Sequence, residues 1–179
     1  DGKIQSSTNG NPRLIFDMYN ATEMAVQTQM ISLQSDSQSK SWITQDIIAE
    51  HSLFDFNTNF ELTSSGSPVI LYNYDGLKIR TYLGYTGVES EIITTAGDVE
   101  YISSTTGLSG ESYIAYYSPG TNKLYFSERT ETGWSEQTVA IDANISSPIS
   151  LLVNNSGSPV IIYLDDVNRE LNIATYDLS

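Results

Sequence analysis

The sequence predicts an all-β protein made of repeated four-stranded antiparallel units, and three recurring landmarks support this prediction. A segment that begins with glycine and ends with an aromatic residue recurs four times, most clearly at residues 66–72 and 157–163. A leucine landmark recurs every 47 residues, and a landmark occupied by Trp or Val recurs every 46 residues. The landmark positions are Phe16, Tyr72, Tyr116 and Tyr163; Leu77, Leu124 and Leu171; and Trp42, Val88 and Trp134.

Four-stranded antiparallel units of about 46 residues are typical of a β-propeller, in which each unit is one blade. An immunoglobulin-like sandwich would not repeat internally at this period. We therefore predict a β-propeller domain, or a segment of one, over residues 1–179. The predicted blades cover approximately residues 1–50, 51–96, 97–142 and 143–179.

The first blade begins with an innermost strand, because Ile4 precedes Pro12 by the eight residues that separate Leu151 from Pro159. The segment from Ala21 to Leu33 has the Met, Ala and Gln content of a helix. Its apolar residues alternate with polar or small ones, which is the period of a strand. We therefore predict that this segment is the third strand of the first blade.

The last blade gives the clearest strands and turns. Its strands are predicted at residues 149–153, 160–164 and 171–176, separated by turns at 154–157 and 165–169. Asn, Asp and Gly in these turns tolerate the positive φ angles of tight hairpins. The proline that follows each Gly-x pair falls at a strand start, where a missing N–H group is tolerated. The fourth strand of the earlier blades follows Trp42, Val88 and Trp134.

The fourth blade is expected to lack its outermost strand, because the next Trp position would fall at residue 180. The chain then holds three complete blades and three strands of a fourth. An open arc of blades exposes apolar faces that something must cover. The ring closes within this chain, by association with a second copy, or with further blades of a longer polypeptide. An unpaired outer edge also invites pairing with a partner strand.

Composition excludes several classes of function. Eight basic and 22 acidic residues give a net charge of −14, which opposes binding to nucleic acid or to anionic membranes. No apolar segment approaches the roughly 20 residues of a transmembrane helix, so no membrane insertion is expected. The high Ser, Thr, Asn and Tyr content and the low Lys content suit a secreted or cell-surface protein, whose partner would be a glycan or an extracellular protein.

Metal and cofactor sites are not predicted. The chain has no cysteine and a single histidine, His51, so the common zinc sites cannot form. Asp165, Asp166 and Asn168 provide the oxygen atoms that calcium prefers, but they lack the ligand spacing of an EF-hand. A hairpin turn explains these three residues, so calcium is possible but not indicated.

Several motifs resemble the repeats of exported bacterial and archaeal propellers related to the sialidase-type BNR proteins. The motifs are G-S-P-V-I-x-Y, then a short acidic turn, L-x-I-A and G-W-S-E-Q, and the resemblance covers Ser52 to Asp177. The Asp-box of sialidases, S-x-D-x-G-x-T-W, is absent from every turn. The resemblance therefore implies a propeller but not sialidase activity.

The chain also resembles fungal fucose-binding lectins, which are propellers with an I-R-x-Y strand and a G-W strand. Those motifs occur here at residues 79–82 and 133–134. In that family an Arg and a Glu bind sugar hydroxyl groups and an aromatic ring stacks on the sugar, in pockets between adjacent blades. Carried over, the resemblance implicates Arg80, Glu91 and either Tyr125 or Trp134, and Trp42 occupies the same repeat position as Trp134.

Each of these residues also has a structural interpretation. Trp42 and Trp134 could pack between blades, because aromatic side chains bury a large area. Arg80 could form a cross-strand ion pair with Glu89 or Glu91. Glu89 and Glu91 lie two residues apart on one predicted strand, and two close carboxylates can hydrolyse glycosides.

The sequence predicts a non-catalytic, lectin-like module that recognises a carbohydrate or another cell-surface ligand through blade loops and inter-blade clefts. The alternatives are an assembly or adhesion module that completes its propeller with another chain, and a glycoside hydrolase. No catalytic residue is assigned.

Overall fold

The computed structural model describes the backbone of residues 2–6, 12–20, 25–35, 40–51, 58–62, 68–73, 77–82, 88–93 and 99–176. Side chains are described at positions 59, 61, 69–73, 77, 79, 93 and 99–176. The chain divides into two compact units. The first comprises Asp1–Phe56, Phe60–Ile70 and Ile79–Glu91, and the second comprises Asn57–Asn59, Leu71–Lys78 and Ile92–Ser179.

The described elements are strands, and they form four antiparallel sheets. The first blade contains β1 (Gly2–Ser6), β2 (Pro12–Asn20), β3 (Ala25–Ser35) and β4 (Lys40–His51). The second contains β5 (Thr58–Leu62), β6 (Pro68–Asn73), β7 (Leu77–Tyr82) and β8 (Val88–Ile92). The third contains β9 (Glu100–Thr106), β10 (Ser112–Ser118), β11 (Lys123–Thr130) and β12 (Gly133–Ala140). The fourth contains β13 (Ser150–Val153), β14 (Pro159–Asp165) and β15 (Glu170–Thr175).

The sheets confirm the predicted architecture. Within each sheet the strands are neighbours in chain order, and the fourth sheet has three strands where the others have four. The described residues therefore form propeller blades, and the last of these sheets contains three described strands. Each of Pro12, Pro68 and Pro159 is the first residue of its strand, as expected for a residue that cannot donate a ladder hydrogen bond.

The segment with helical composition is a strand. β3 pairs with β2 from Arg13 opposite Ser32 to Asn20 opposite Ala25, and it pairs with β4 on its other side. A central strand satisfies its backbone groups on both edges, which outweighs a helix propensity of a few tenths of a kcal/mol per residue. The prediction from alternation is therefore confirmed for residues 25–33, and residues 21–24 lie outside the described residues.

The hairpin turns of the fourth blade form as the sequence predicts. Asn154 Oδ1 accepts hydrogen bonds from the N–H groups of Ser156 and Ser158, at 2.9 and 3.0 Å. Gly157 has a φ of +87°, a conformation that a side chain would strain. In the next turn, Asp165 Oδ1 accepts hydrogen bonds from the N–H groups of Val167 and Asn168. Local side-chain bonds of this kind reverse the chain within a few residues.

The third and fourth blades share a hydrophobic core within the second unit. Alternate residues of β10 and β11 point toward the fourth blade, and alternate residues of β13 and β14 point back. The buried members of this core are Tyr113, Ala115, Tyr117, Leu124, Phe126, Ala143, Ile145, Ile149, Leu151 and Ile161. Two twisted sheets packed face to face in this way are the repeating contact of a propeller.

Hydroxyl and amide groups connect the innermost strands of the second unit. The N–H group of Leu151 donates to Ser103 Oγ at 3.0 Å, which joins β13 to β9. The side-chain amide of Asn59 donates to Ser104 Oγ at 3.0 Å, which joins β5 to β9. The amide of Asn73 donates to the carbonyl of Val99 at 3.1 Å. β9 is therefore held on both sides. Among the residues described, no helix is long and apolar enough to cross a membrane.

Candidate functional site

A cleft of about 200 Å³ opens between the third and fourth blades, next to their shared core. Phe126 of β11 and Ile161 of β14 form its floor, and they are only 1% and 4% exposed. The Tyr176 ring lies 5.0 Å from the Phe126 ring, centroid to centroid, with the two planes tilted by 41°. The remaining lining residues are Gln137, Thr138, Val139, Ala174 and Thr175.

A β-bulge in β12 shapes one wall of the cleft. Leu124 pairs with Ala140 and Tyr125 with Thr138, so Val139 is left without a partner on β11. In a regular strand, consecutive side chains point to opposite faces, whereas a bulge re-aims them. As a result Gln137, Thr138 and Val139 all line the cleft although they are consecutive.

The opposite wall comes from the end of the fourth blade. Ala174 lies opposite Ile161 across β14 and β15, and its small side chain leaves room above the floor. The N–H group of Tyr176 donates to the carbonyl of Pro159 at 2.9 Å, which extends the pairing by one residue beyond β15. This hydrogen bond fixes the backbone of Tyr176, the ring that lies beside Phe126.

The chemistry of the cleft suits a neutral ligand. Among the described residues that line it, none is acidic or basic. Gln137 is exposed and offers a side-chain amide at the rim, while the floor is aromatic and aliphatic. An apolar floor with a few polar groups at the rim is the usual composition of a small-molecule site. Such a lining can bind and orient a ligand through apolar contacts and uncharged hydrogen-bonding groups.

Tyr113 and Tyr163 remain protonated at neutral pH. Burial raises the pKa of Tyr113 above its usual value of 10.0, and the nearby carboxylates of Glu111 and Glu128 raise it further. The Tyr113 ring packs 5.6 Å from the Phe126 ring. Burial, followed by the charge of Asp165, also raises the pKa of Tyr163. Both hydroxyl groups therefore act as neutral donors and acceptors.

Two predicted ligand residues, Tyr125 and Trp134, lie on the face of the third blade that points away from this cleft. The Tyr125 ring stacks on the Tyr116 ring at 5.2 Å, and its hydroxyl group lies 3.4 Å from Thr121 Oγ1. The Arg129 guanidinium carbon lies 5.6 Å from the centre of the Trp134 ring. Tyr125 pairs with Thr138 on β12, and Trp134 lies four residues before Thr138 on that strand. Four residues of a strand span roughly 13 Å, so Trp134 lies about that far along the sheet from Tyr125. The two rings are therefore not brought together.

The other three predicted ligand residues are located by backbone alone. Arg80 lies on β7, Glu91 on β8 and Trp42 on β4, where Trp42 pairs with Leu33. Their side chains lie outside the described residues. A sugar site that uses them stays a prediction.

The face with Tyr125 and Trp134 also carries an acid–phenol contact that the sequence did not suggest. The hydroxyl group of the fully buried Tyr116 donates a hydrogen bond to Glu136 Oε2 on β12. Within the described part of the chain, Ser127 Oγ and Trp134 Nε1 on this face are buried without a hydrogen-bond partner. Of the described residues, no group of three or more His, Asp or Glu side chains is placed to hold a metal ion.

Sequence reasoning missed the residues that line the inter-blade cleft. Phe126, Ile161 and Tyr176 were not selected as site residues, and Gln137 entered only as the last residue of the G-W-S-E-Q motif. The repeat itself contains a usable signal, because Phe126 and Ile173 are equivalent positions 47 residues apart on β11 and β15. Aligning the repeats in this way identifies which residues of a blade face the next blade, and the cleft lies at that contact.

The chain matches no protein-family model and no curated protein sequence. It is similar in structure to several solved propellers. One is a bifunctional GH43-CE protein from Bacteroides eggerthii, with a TM-score of 0.53 and 14% identity over 99% of this chain and 24% of that protein. Another is an exo-β-1,3-galactanase from Phanerochaete chrysosporium in complex with galactose, with a TM-score of 0.56 and 11% identity over 99% of this chain and 46% of that enzyme.

A third similar structure is an α-L-arabinofuranosidase from Lactobacillus brevis, with a TM-score of 0.57 and 12% identity. The alignment covers 99% of this chain and 72% of that enzyme. GH43 glycoside hydrolases have a five-bladed β-propeller fold. The chain thus spans from a quarter to about three quarters of these proteins. At these identities the similarity establishes the propeller fold, and it does not transfer an activity.

Proposed function

We propose that this protein is a non-catalytic, lectin-like module that binds a neutral sugar in the cleft between its third and fourth blades. The observation that carries the proposal is the cleft itself, with an aromatic floor and an uncharged polar rim. Sugar rings offer an apolar face for stacking and hydroxyl groups for hydrogen bonds, and these are the two kinds of contact that the cleft provides.

The dimensions of the cleft limit the ligand. About 200 Å³ is smaller than the roughly 300–1,000 Å³ typical of drug-sized sites, so the cleft suits a single sugar ring, with the rest of a glycan outside. The absence of charge among the described lining residues favours a neutral sugar over a sialic acid, whose carboxylate needs a cationic partner. In this proposal Tyr176 stacks on the sugar while the side-chain amide of Gln137 binds its hydroxyl groups.

The two sequence resemblances add a second possible location. Fucose-binding lectins hold sugars between adjacent blades with an Arg, a Glu and an aromatic ring, which would here be Arg80, Glu91 and Tyr125 or Trp134. The resemblance to sialidase-type BNR propellers supports an exported protein without sialidase activity. We therefore propose a secreted or cell-surface location, with a glycan or an extracellular protein as the partner.

A glycoside hydrolase is the second candidate, because the similar structures include GH43 hydrolases. Hydrolysis needs an acid and a second carboxylate, about 5–9.5 Å apart. Glu89 and Glu91 on β8 are the pair that the sequence suggested. If this candidate is correct, Glu91→Gln abolishes turnover of aryl glycosides; if the protein is a lectin, no turnover occurs in either form.

The proposal is tested by titrating the chain with neutral monosaccharides, including fucose, galactose and arabinose, and following chemical shifts by NMR. We expect saturable binding that weakens at least about tenfold in Gln137→Ala and Tyr176→Ala, since central contacts dominate binding energy. Gln137 is exposed, so its loss leaves the fold intact. Thr132→Ala, in the exposed turn between β11 and β12, is the matched control and retains wild-type affinity.

Two results would contradict this assignment. Binding that survives both cleft substitutions but is lost in Tyr125→Ala moves the site to the other face of the third blade. Saturating monosaccharide without any chemical-shift change, in a folded chain, removes the neutral-sugar proposal.

A further inference from the structure

The side of the third blade that points away from the inter-blade cleft carries a polar and aromatic surface, here called the Trp134 face. Along β11 and β12, Ser127 lies opposite Glu136 and Arg129 lies opposite Trp134. Side chains two residues apart on a strand project to the same side, so these four residues share one surface. Tyr116 of β10 completes the Trp134 face, because its hydroxyl group donates a hydrogen bond to Glu136 Oε2.

Two polar groups of the Trp134 face are buried without a partner within the described part of the chain. Ser127 is fully buried, and neither its hydroxyl group nor Trp134 Nε1 makes a hydrogen bond there. Native folds leave few such groups, because a buried donor shielded from water is unfavourable unless another group pairs with it. Ser127 and Trp134 are diagonal neighbours on adjacent strands, with Cα atoms roughly 7–8 Å apart, so one small molecule can reach both.

The hydrogen-bonding groups of the Trp134 face restrict the chemistry of such a molecule. The indole N–H group of Trp134 only donates, the Glu136 carboxylate only accepts, and the Ser127 hydroxyl group does either. A hydroxyl group of a ligand matches this set, because it accepts from Trp134 and donates to Glu136 at the same time. A carboxylate only accepts and would meet the charge of Glu136, whereas an ammonium group only donates and would leave Trp134 unpaired.

The charges of the Trp134 face also favour a neutral ligand. Arg129 and Glu136 are both exposed and carry opposite charges, and the chain as a whole carries a charge of −14, which opposes the approach of an anion. The Arg129 guanidinium carbon lies over the Trp134 ring, 5.6 Å from its centre. Side chains at binding sites commonly change rotamer, so this long, exposed side chain can move aside when a ligand enters.

We propose that the Trp134 face binds a neutral ligand rich in hydroxyl groups, such as a single sugar ring. One ligand hydroxyl group accepts from Trp134 Nε1 and donates to Glu136, and a second one pairs with Ser127. The half-buried indole ring adds an apolar contact. This site uses neither Arg80 nor Glu91, and it stands apart from the proposed cleft, which lies on the opposite side of the third blade. Two sites on one chain would strengthen binding to a repeated glycan.

The indole N–H resonance of Trp134 in an NMR titration tests this proposal directly. The chain has two tryptophans, so Trp42→Phe assigns both indole resonances. We would titrate fucose and galactose from about 0.1 to about 100 mM, a range that spans a dissociation constant of about 1 mM. We expect the Trp134 resonance to move saturably in the wild type. It should move equally in Gln137→Ala, because that substitution affects the cleft alone.

Ser127→Ala is the informative variant. It removes a hydroxyl group that has no partner within the described residues, so the fold is retained while one contact to the ligand is lost. We expect the affinity read from the Trp134 resonance to fall about tenfold. Ser135→Ala is the matched control, because Ser135 is exposed on β12 and projects to the other side of the sheet, and it keeps the wild-type affinity.

Acetate and methylammonium ions test the class of ligand, because the first only accepts hydrogen bonds and the second only donates them. Neither ion is expected to move the Trp134 resonance at concentrations at which a sugar saturates it. The proposal is overturned if neither sugar moves this resonance, if either ion moves it as a sugar does, or if Ser127→Ala binds as tightly as the wild type. A response at Gln137 without one at Trp134 removes this site alone, and the reverse result removes the cleft alone.

Discussion

Ser103 and Ser127 lie in the same four-stranded sheet but differ in what their hydroxyl groups contact. Ser103 Oγ accepts a hydrogen bond from the N–H group of Leu151 and so connects two blades. Ser127 is fully buried, and its hydroxyl group has no partner within the described part of the chain. A buried polar group without a partner costs about 1–3 kcal/mol, whereas a paired one contributes a net 0.5–1.5 kcal/mol, both of them order-of-magnitude values.

We therefore predict opposite effects of the same substitution at these two serines. Ser127→Ala removes an unsatisfied hydroxyl group and leaves the free energy of unfolding unchanged or raises it by up to about 1 kcal/mol. Ser103→Ala leaves the Leu151 N–H group without its acceptor and lowers the free energy of unfolding by about 1–2 kcal/mol. Urea denaturation of both variants measures the difference. A loss of more than about 1 kcal/mol in Ser127→Ala would mean that a bound water or ligand satisfies this hydroxyl group.

At the scale of elements, the turn between β14 and β15 has a pH-dependent contribution to stability. Asp165 accepts hydrogen bonds from two backbone N–H groups, and Asn168 Nδ2 donates to its second carboxylate oxygen at 2.9 Å. The side-chain bond from Asn168, followed by the backbone bonds, lowers the pKa of Asp165 below its usual value of 3.8. A carboxylate with a lowered pKa stabilises the fold above pH 3.8, and this stabilisation is lost as the pH falls through the lowered value.

Asp165→Ala is accordingly expected to lower the melting temperature at neutral pH and to have a shrinking effect below about pH 4. Thermal unfolding followed by circular dichroism between pH 7 and 2 checks this dependence. Glu131→Ala, in the exposed turn between β11 and β12, is the control and produces little change at any pH. An Asp165→Ala effect that persists undiminished at pH 2 would show that the carboxylate charge is not what holds the turn.

The strands were predictable from sequence because their signals are local. Strands predicted at 149–153, 160–164 and 171–176 form at Ser150–Val153, Pro159–Asp165 and Glu170–Thr175, within one residue at each end. Alternation of apolar residues fixes the strand, and Asn, Asp and Gly fix the turn between strands. The same local signals identified the strand at Ala25–Ser35 against its helical composition.

The cleft was not predictable because it depends on which face a residue occupies and on a neighbouring blade. Phe126 faces the fourth blade, whereas Tyr125, one residue earlier, stacks on Tyr116 on the other side of the sheet. Motif comparison selected the aromatic residues with a familiar sequence context and did not assign them to a face. The bulge at Val139, beside which three consecutive residues line the cleft, has no marker in the sequence.

At the scale of the whole molecule, the fold combines a strongly acidic surface with a core rich in tyrosine. Twelve of the 179 residues are tyrosines, and several lie at the contact between the third and fourth blades. Burying phenol rings adds apolar area to sheets that have no disulfide to stabilise them. The buried tyrosines also make the stability of the fold depend on high pH, because burial disfavours the ionised form of the phenol.

For the whole molecule we predict that the free energy of unfolding falls at alkaline pH. Burial is the main cause that raises the pKa of Tyr101, Tyr113 and Tyr163 above 10.0, with nearby acidic residues raising it further. In the unfolded chain these groups lose protons near pH 10, so the folded chain binds more protons and stability falls as the pH rises above that value. Urea unfolding between pH 8 and 11 measures the decline, which Tyr163→Phe makes shallower. A free energy of unfolding that stays constant up to pH 11 would contradict the prediction. Repeating the series at about 1 M salt separates the effect of burial from that of charge repulsion, because salt screens only the repulsion.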